Sequence, residues 1–245
     1  MNNGGHKTAF IPAAGMGTRL KELTQSMPKA LVPLNGKPML HIIIDNLICQ
    51  GFDHFVINVH HFANQIMTFI SKMNYHDIVI DISDESNELM DTGGAILKAL
   101  PFFKCSEAVL IHNVDIISDI DFMPYYQSFV KSEDAVWLFT QKRKSRRMLA
   151  FDANDNFVER VVMEEPTLKE TGDTTRHLYA FSGIHLIKPQ YFAEFEIKPC
   201  YVFDLYTEMA ARHSIKSMPV NPLFWFDIGT KEKLKEAESW LLQKR

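Results

Sequence analysis

The chain has 245 residues, 46% hydrophobic and 23% charged, which is enough for a large core and too apolar for disorder. A net charge of −4 and a pI near 6.2 exclude a protein built to coat nucleic acid, which needs a basic face to displace counterions. The start, Met1-Asn2-Asn3-Gly4-Gly5-His6-Lys7, has no signal-peptide core, and no later run is long enough to span a membrane, so a cytoplasmic location without membrane contact is expected.

The first element in chain order is an apolar run, Phe10-Ile11-Pro12-Ala13-Ala14, that breaks into Gly15-Met16-Gly17-Thr18-Arg19-Leu20 and passes through Pro28-Lys29-Ala30-Leu31. It reads as a strand opening into a phosphate-binding loop. Glycines let backbone N–H groups approach anionic oxygens, and Arg19 and Lys29 add positive charge. The dinucleotide fingerprint is excluded because Leu20 stands at the third glycine. The P-loop is excluded because Leu20-Lys21-Glu22 replaces Gly-Lys-Ser/Thr.

Helical and strand periodicities then alternate: a helix over 39–50 closed by Gly51, a strand at 55–59, a helix over 62–73, a strand at 78–82, a short helix over 92–100 and a strand at 108–112. This alternation predicts an α/β fold with a mostly parallel sheet covered on both faces. Asn113-Val114-Asp115 then places an acid at the C-terminal end of a strand, where ligand crevices of such sheets lie. A helix over 122–131 and a strand at 135–139 come next. The basic cluster Lys142-Arg143-Lys144 with Arg146-Arg147 has no interleaved aromatics and reads as a solvated hairpin or loop. Residues 151–157 read as two strands joined by an Asx-rich turn, and the polar, glycine-containing stretch between Glu164-Glu165-Pro166 and Arg176 as a mobile loop over the site. Residues 177–187 form a β run interrupted by Gly183, a mark of a bulge or of close approach, and residues 202–213 an amphipathic helix. Near the end, Asp227 stands among Trp225, Phe226 and Ile228, and a charge in such company needs a partner or a metal. Thr230 is the natural N-cap of the helix that follows. The three cysteines, Cys49, Cys105 and Cys200, lack zinc-type spacing and are expected to be buried, reduced thiols. The histidines make no metal-ligand pair.

Three segments, Ala13-Ala14-Gly15-Met16-Gly17-Thr18-Arg19-Leu20, Pro28-Lys29-Ala30-Leu31-Val32-Pro33-Leu34 and Gly36-Lys37-Pro38-Met39-Leu40, together resemble the signature of the sugar-1-phosphate nucleotidyltransferases. The resemblance implies a Rossmann-like mixed sheet with a small β-rich sugar-binding region. It implies one domain, 1–245, with a nucleotide-binding half (1–140) and a sugar-binding half that includes the C-terminal helix (141–245). It implies substrates of a nucleoside triphosphate and a sugar 1-phosphate, a magnesium ion on Asp115 and Asp227, and catalysis by those two with Arg19 and Lys29. The nucleotide would lie on Ala13, Ala14, Gly15, Gly17, Thr18, Arg19, Lys29, Asn58, Asp91, Thr92 and Gly93, and the sugar on Asn113, Glu165, Arg176, Ser182 and Gly183.

Two departures stand out. The family's Asn-Gly-Asp is Asn113-Val114-Asp115, and its Glu-Lys-Pro is Glu164-Glu165-Pro166, so either another cation, with Lys169 and Arg176 as candidates, takes the role of the phosphate-holding lysine, or the sugar is held differently. The chain resembles the compact bacterial members, and Asp91-Thr92-Gly93-Gly94-Ala95-Ile96 resembles the N-acetylmuramate 1-phosphate uridylyltransferases more than the mannose or heptose 1-phosphate guanylyltransferases. A monomer or small homo-oligomer is expected. The alternative from another class is a nucleotide or sugar sensor that has lost transfer.

Overall fold

A computed structural model describes residues 5–167 and 175–243. They fall into two compact units, each assembled from separated stretches of chain. The first comprises Met1–Leu89, His112–Met123 and Pro222–Arg245, and the second Met90–Ile111 and Pro124–Asn221.

The first unit begins with β1 (Thr8–Pro12), two short 3-10 turns, the hairpin β2 (Pro33–Leu34) and β3 (Lys37–Pro38), α1 (Met39–Cys49), β4 (His54–Val59), α2 (Ala63–Ile70) and β5 (Val79–Asp84). The second unit then contributes α3 (Asp91–Ala99) and β6 (Val109–His112), and the chain returns to the first for β7 (Ile116–Ser118). The second unit continues with α4 (Met123–Lys131), β8 (Val136–Gln141), β9 (Ser145–Asp152), β10 (Phe157–Thr167), β11 (Arg176–Ile187), α5 (Val202–Ala210) and β12 (Ile215–Pro219). The last elements, β13 (Trp225–Asp227) and α6 (Lys231–Gln243), belong to the first unit.

In the first unit β4 lies between β1 and β5, parallel to both, with Phe10 opposite Val56 and Ile57 opposite Ile82. All six β4 residues are buried, as a strand covered on both faces requires. α1 buries Met39, Leu40, Ile43, Ile44 and Leu47 on one stripe, and the chain turns away at Gly51, whose φ of +89° suits glycine. In the second unit β11 is antiparallel to both β8 and β9, β8 is parallel to β12, and β9 and β10 form a hairpin. The hairpin turn is closed by the Asp152 carboxylate, which accepts from Asn154 N, Asn156 N and Asn156 Nδ2 at 2.8–2.9 Å. The α/β class expected from the sequence is the one observed.

Several local expectations change. The Lys142–Lys144 segment is no hairpin, because β8 and β9 each pair with β11. Within it Arg143 is half-buried and donates from Nη2 to Phe181 O at 2.8 Å. β10 runs through Glu164-Glu165-Pro166 to Thr167, and nearly all of the expected mobile loop, residues 168–174 with Lys169, lies outside the described residues. Gly183 takes a φ of +85° where the β11–β8 register slips between Phe181 and His185, which makes it a bulge. Cys49 and Cys105 are exposed and Cys200 half-buried, all three free: apolar helix faces are only part of each helix, and Cys49 falls on the solvated side of α1. Among the described residues no helix is long and apolar enough to cross a membrane.

Candidate active site

In the first unit the chain leaves β1 at Ala13 and Ala14, both buried, whose N–H groups donate to Asn58 Oδ1 at 2.6 and 3.3 Å. Asn58 Nδ2 in turn donates to Glu85 Oε1 at 2.8 Å. The two glycines that follow have different work. A Cβ on Gly15 would meet nothing within 4 Å, whereas one on Gly17 would stand 2.9 Å from Lys29 Cβ and Thr24 Cγ2. Gly17 also takes a φ of +64°, so it is required both by the turn and by the lysine stem laid across it. Lys29 opens a 3-10 turn, and its ammonium pairs with the Asp115 carboxylate; the two side chains are only 12% and 16% exposed.

Asp115 follows β6 in a tight turn in which Asn113 O accepts Ile116 N at 3.1 Å. His112, buried beside it, has its pKa pushed down to about 4 by desolvation, so the neutral ring facing Asn113 O at 3.0 Å carries its proton on Nδ1 and donates it there. Val114, the β-branched residue in place of the family's glycine, is 6% exposed: its side chain is taken into the interior. β7 then pairs antiparallel with β13, setting Asp227 opposite Ile116, and Asp115 O accepts Ile228 N at 2.8 Å. Two aspartates remote in sequence therefore stand on adjoining backbones.

Asp227 Oδ2 meets Lys233 Nζ at 3.2 Å, while Oδ1 is enclosed without a hydrogen-bond partner among the described residues. An enclosed, unpaired carboxylate oxygen is costly unless a cation takes it. Magnesium is satisfied by hard oxygen donors from one or two carboxylates, with water and phosphate completing its shell, so Asp115 and Asp227 fit it. Arg19 is exposed, and its guanidinium lies against Gly229, where a Cβ would stand 3.0 Å from Cζ. It makes no ion pair or hydrogen bond among the described residues.

The candidates of the second unit engage other parts of that unit. Asp91, at a φ of +56°, opens α3; Thr92 Oγ1 accepts Val202 N at 2.9 Å, and Gly93 N and Gly94 N both donate to Cys200 O. A Cβ on Gly94 would lie 2.4 Å from Lys198 O, so the glycine pair serves close packing of α3 on the chain ahead of α5. Ser182 is fully buried, with its hydroxyl turned into the Gly183 bulge at Ile184 N. Asn58 in the first unit, 2% exposed, is likewise spent on the protein. Asn58, Gly93 and Ser182, all expected at the ligand, each make hydrogen bonds within the protein.

Arg176 pairs with Glu159 at 3.1 Å and stands opposite Asp152, whereas Val162 stands opposite Arg147 and Thr167 opposite Ser145. Glu165 is thus beside the other end of the eight-residue β9, roughly 20 Å of strand away, and Arg176 does not replace the missing lysine beside it.

The nucleotidyl transferase family pattern matches residues 8–244. The chain belongs to that family. It is 27% identical to the N-acetylmuramate alpha-1-phosphate uridylyltransferase of Caulobacter vibrioides, over 97% of this chain and 98% of that one. Over 50% of this chain and 52% of the other it is 34% identical to the D-glycero-alpha-D-manno-heptose 1-phosphate guanylyltransferase of Aneurinibacillus thermoaerophilus. The crystal structure of HddC from Yersinia pseudotuberculosis complexed with GMP-PN superposes with a TM-score of 0.76 at 21% identity, covering 96% of this chain and 99% of that one, a likeness of fold.

Three residues of this nucleotidyl transferase escape a reading of its sequence. Glu85 is fully buried and orients Asn58, but in sequence it is one acid in a polar turn. Arg143 looks like one of a solvated cluster until Phe181 is seen to accept from it. Lys233 had a signal: it is a base in the first turn of a helix, where acids are favoured.

Proposed function

We propose that the chain, a sugar-1-phosphate nucleotidyltransferase by family, transfers a uridylyl group from UTP to N-acetylmuramate 1-phosphate or a related hexose 1-phosphate and releases pyrophosphate. The single observation that carries the transfer reading is the convergence, within one unit, of a cationic glycine loop and two adjoining aspartates, one with an unpartnered enclosed oxygen. The choice of uridylyl transfer rests on similarity to a relative of that name along nearly the whole chain.

The sugar phosphate oxygen is already an anion, so attack on the α-phosphorus needs no general base, and the chain's task is to position two anions and neutralise their charge. Lys29 is suited to the α-phosphate as a point charge, and Arg19 with the Gly15–Thr18 amides to the β- and γ-phosphates that leave. Magnesium held by Asp115 and Asp227 would supply Lewis-acid neutralisation of the phosphate oxygens. Within the first unit the base is assigned to Ala13, Ala14 and Gly15. Because a nucleoside triphosphate is consumed, we place the reaction in the cytoplasm and its product among cell-wall precursors.

A second reading, guanylyl transfer to a mannose or heptose 1-phosphate, is favoured by the guanylyltransferase that is 34% identical over half the chain. A matrix of nucleoside triphosphates against sugar 1-phosphates with magnesium, read by pyrophosphate release, separates the readings. UTP with N-acetylmuramate 1-phosphate is expected to be fastest; GTP with a heptose or mannose 1-phosphate fastest would select the second. Asp115→Asn and Asp227→Asn are each expected to lose at least about a thousandfold in turnover with circular dichroism unchanged. Nucleotide binding without release in every pairing would leave a sensor.

A further inference from the structure

Thr230 caps α6, its hydroxyl accepting Lys233 N at 3.4 Å, which makes Lys233 the third residue of the helix. A glutamate ordinarily occupies that place in a Thr-x-x-Glu cap, and the positive end of the helix dipole also favours acids there. This chain puts Lys231 and Lys233 in the first turn, with Glu232 between them. Lys231 is accounted for by Glu22, 76% exposed, at 2.5 Å. Lys233 has no such surface partner among the described residues; its ammonium reaches Asp227 Oδ2 at 3.2 Å and leaves Oδ1 unpaired. Each of the two aspartates thus carries one lysine, Asp115 with Lys29 and Asp227 with Lys233, and the Arg19 guanidinium lies against Gly229 two residues from Asp227. The Lys233 side chain is 46% exposed, so its four-carbon stem can swing at little cost.

We propose that Lys233 is a transferable cation of the site. It balances Asp227 in the free protein, and when a divalent cation takes the carboxylates it is handed to the β- and γ-phosphate end of the nucleotide, the part that leaves as pyrophosphate. The proposal rests on the reading that Asp115 and Asp227 hold the metal.

Two bindings to the intact protein test it without turnover: Mn2+ alone, followed by its spin resonance, and inorganic pyrophosphate at saturating Mg2+, followed by calorimetry. Lys233→Gln removes a competing positive charge, so Mn2+ is expected to bind about three- to tenfold tighter while pyrophosphate binds about five- to tenfold weaker, both at low ionic strength. Lys233→Arg is expected to restore pyrophosphate affinity, and Lys231→Gln to change neither. A folded Lys233→Gln protein in which either affinity is unchanged, or in which Mn2+ binds more weakly, overturns the proposal. Asp227→Asn separates the two layers: if it leaves Mn2+ affinity unchanged, the metal reading itself fails, and if it abolishes Mn2+ binding while Lys233→Gln alters nothing, only the transferable cation falls.

Discussion

Asn58 shows how little of the site is chemistry and how much is support. Its side chain accepts from two consecutive loop N–H groups and donates to a fully buried carboxylate, so a single amide couples the start of the phosphate loop to Glu85. Asn58→Ala would leave those groups enclosed and unpaired, a loss of about 2–4 kcal/mol of stability in urea unfolding. Asn58→Asp sets a second carboxylate against Glu85 and should be at least as damaging. Combining it with Glu85→Gln exchanges donor and acceptor and should recover more than half of the loss, an interaction a double-mutant cycle reads directly.

At the scale of elements, the proposed metal site hangs on the short ribbon of β7 and β13, which brings Asp227 beside Asp115. β11 poses a different problem. His185 on it is 3% exposed, both ring nitrogens lack partners among the described residues, and it stands edge-on to Tyr206, whose hydroxyl is also unpartnered. Burial pushes the His185 pKa down to about 3. The unfolded chain, with an ordinary pKa near 6.5, therefore takes up a proton that the folded one refuses, so stability fully present above pH 6.5 is lost as the pH falls toward 3. About 2 kcal/mol should disappear by pH 5 through this residue. His185→Leu is expected to reduce the difference between urea midpoints at pH 7.5 and pH 5, and a difference as large as in the parent protein would refute the assignment.

For the molecule as a whole, chain order and spatial order disagree. The first unit needs Pro222–Arg245 to complete what Met1–Leu89 begins, and α3 belongs to the second unit, its glycines packed on Lys198 and Cys200. A fragment of residues 1–140, the nucleotide-binding half suggested by sequence, lacks β13, α6 and the chain at Lys198 and Cys200 on which α3 packs. It is expected to bind a hydrophobic dye and to melt without a cooperative transition, whereas the full chain melts cooperatively.

Sequence alone determined the alternation of elements, the loop at Gly15–Arg19 and the standing of Asp115 and Asp227 as candidate ligands. Periodicity, glycine and isolated charge are local signals, and each of these features is written locally. Only the tertiary structure decided which protein groups Asn58, Gly93 and Ser182 bond to, that Arg176 stands at the other end of β9 from Glu165, and that Lys233 lies on Asp227. Those facts depend on strand register and on how side chains pack in three dimensions, as between Asn58 and Ala13 or Gly93 and Cys200, and a one-dimensional pattern carries neither.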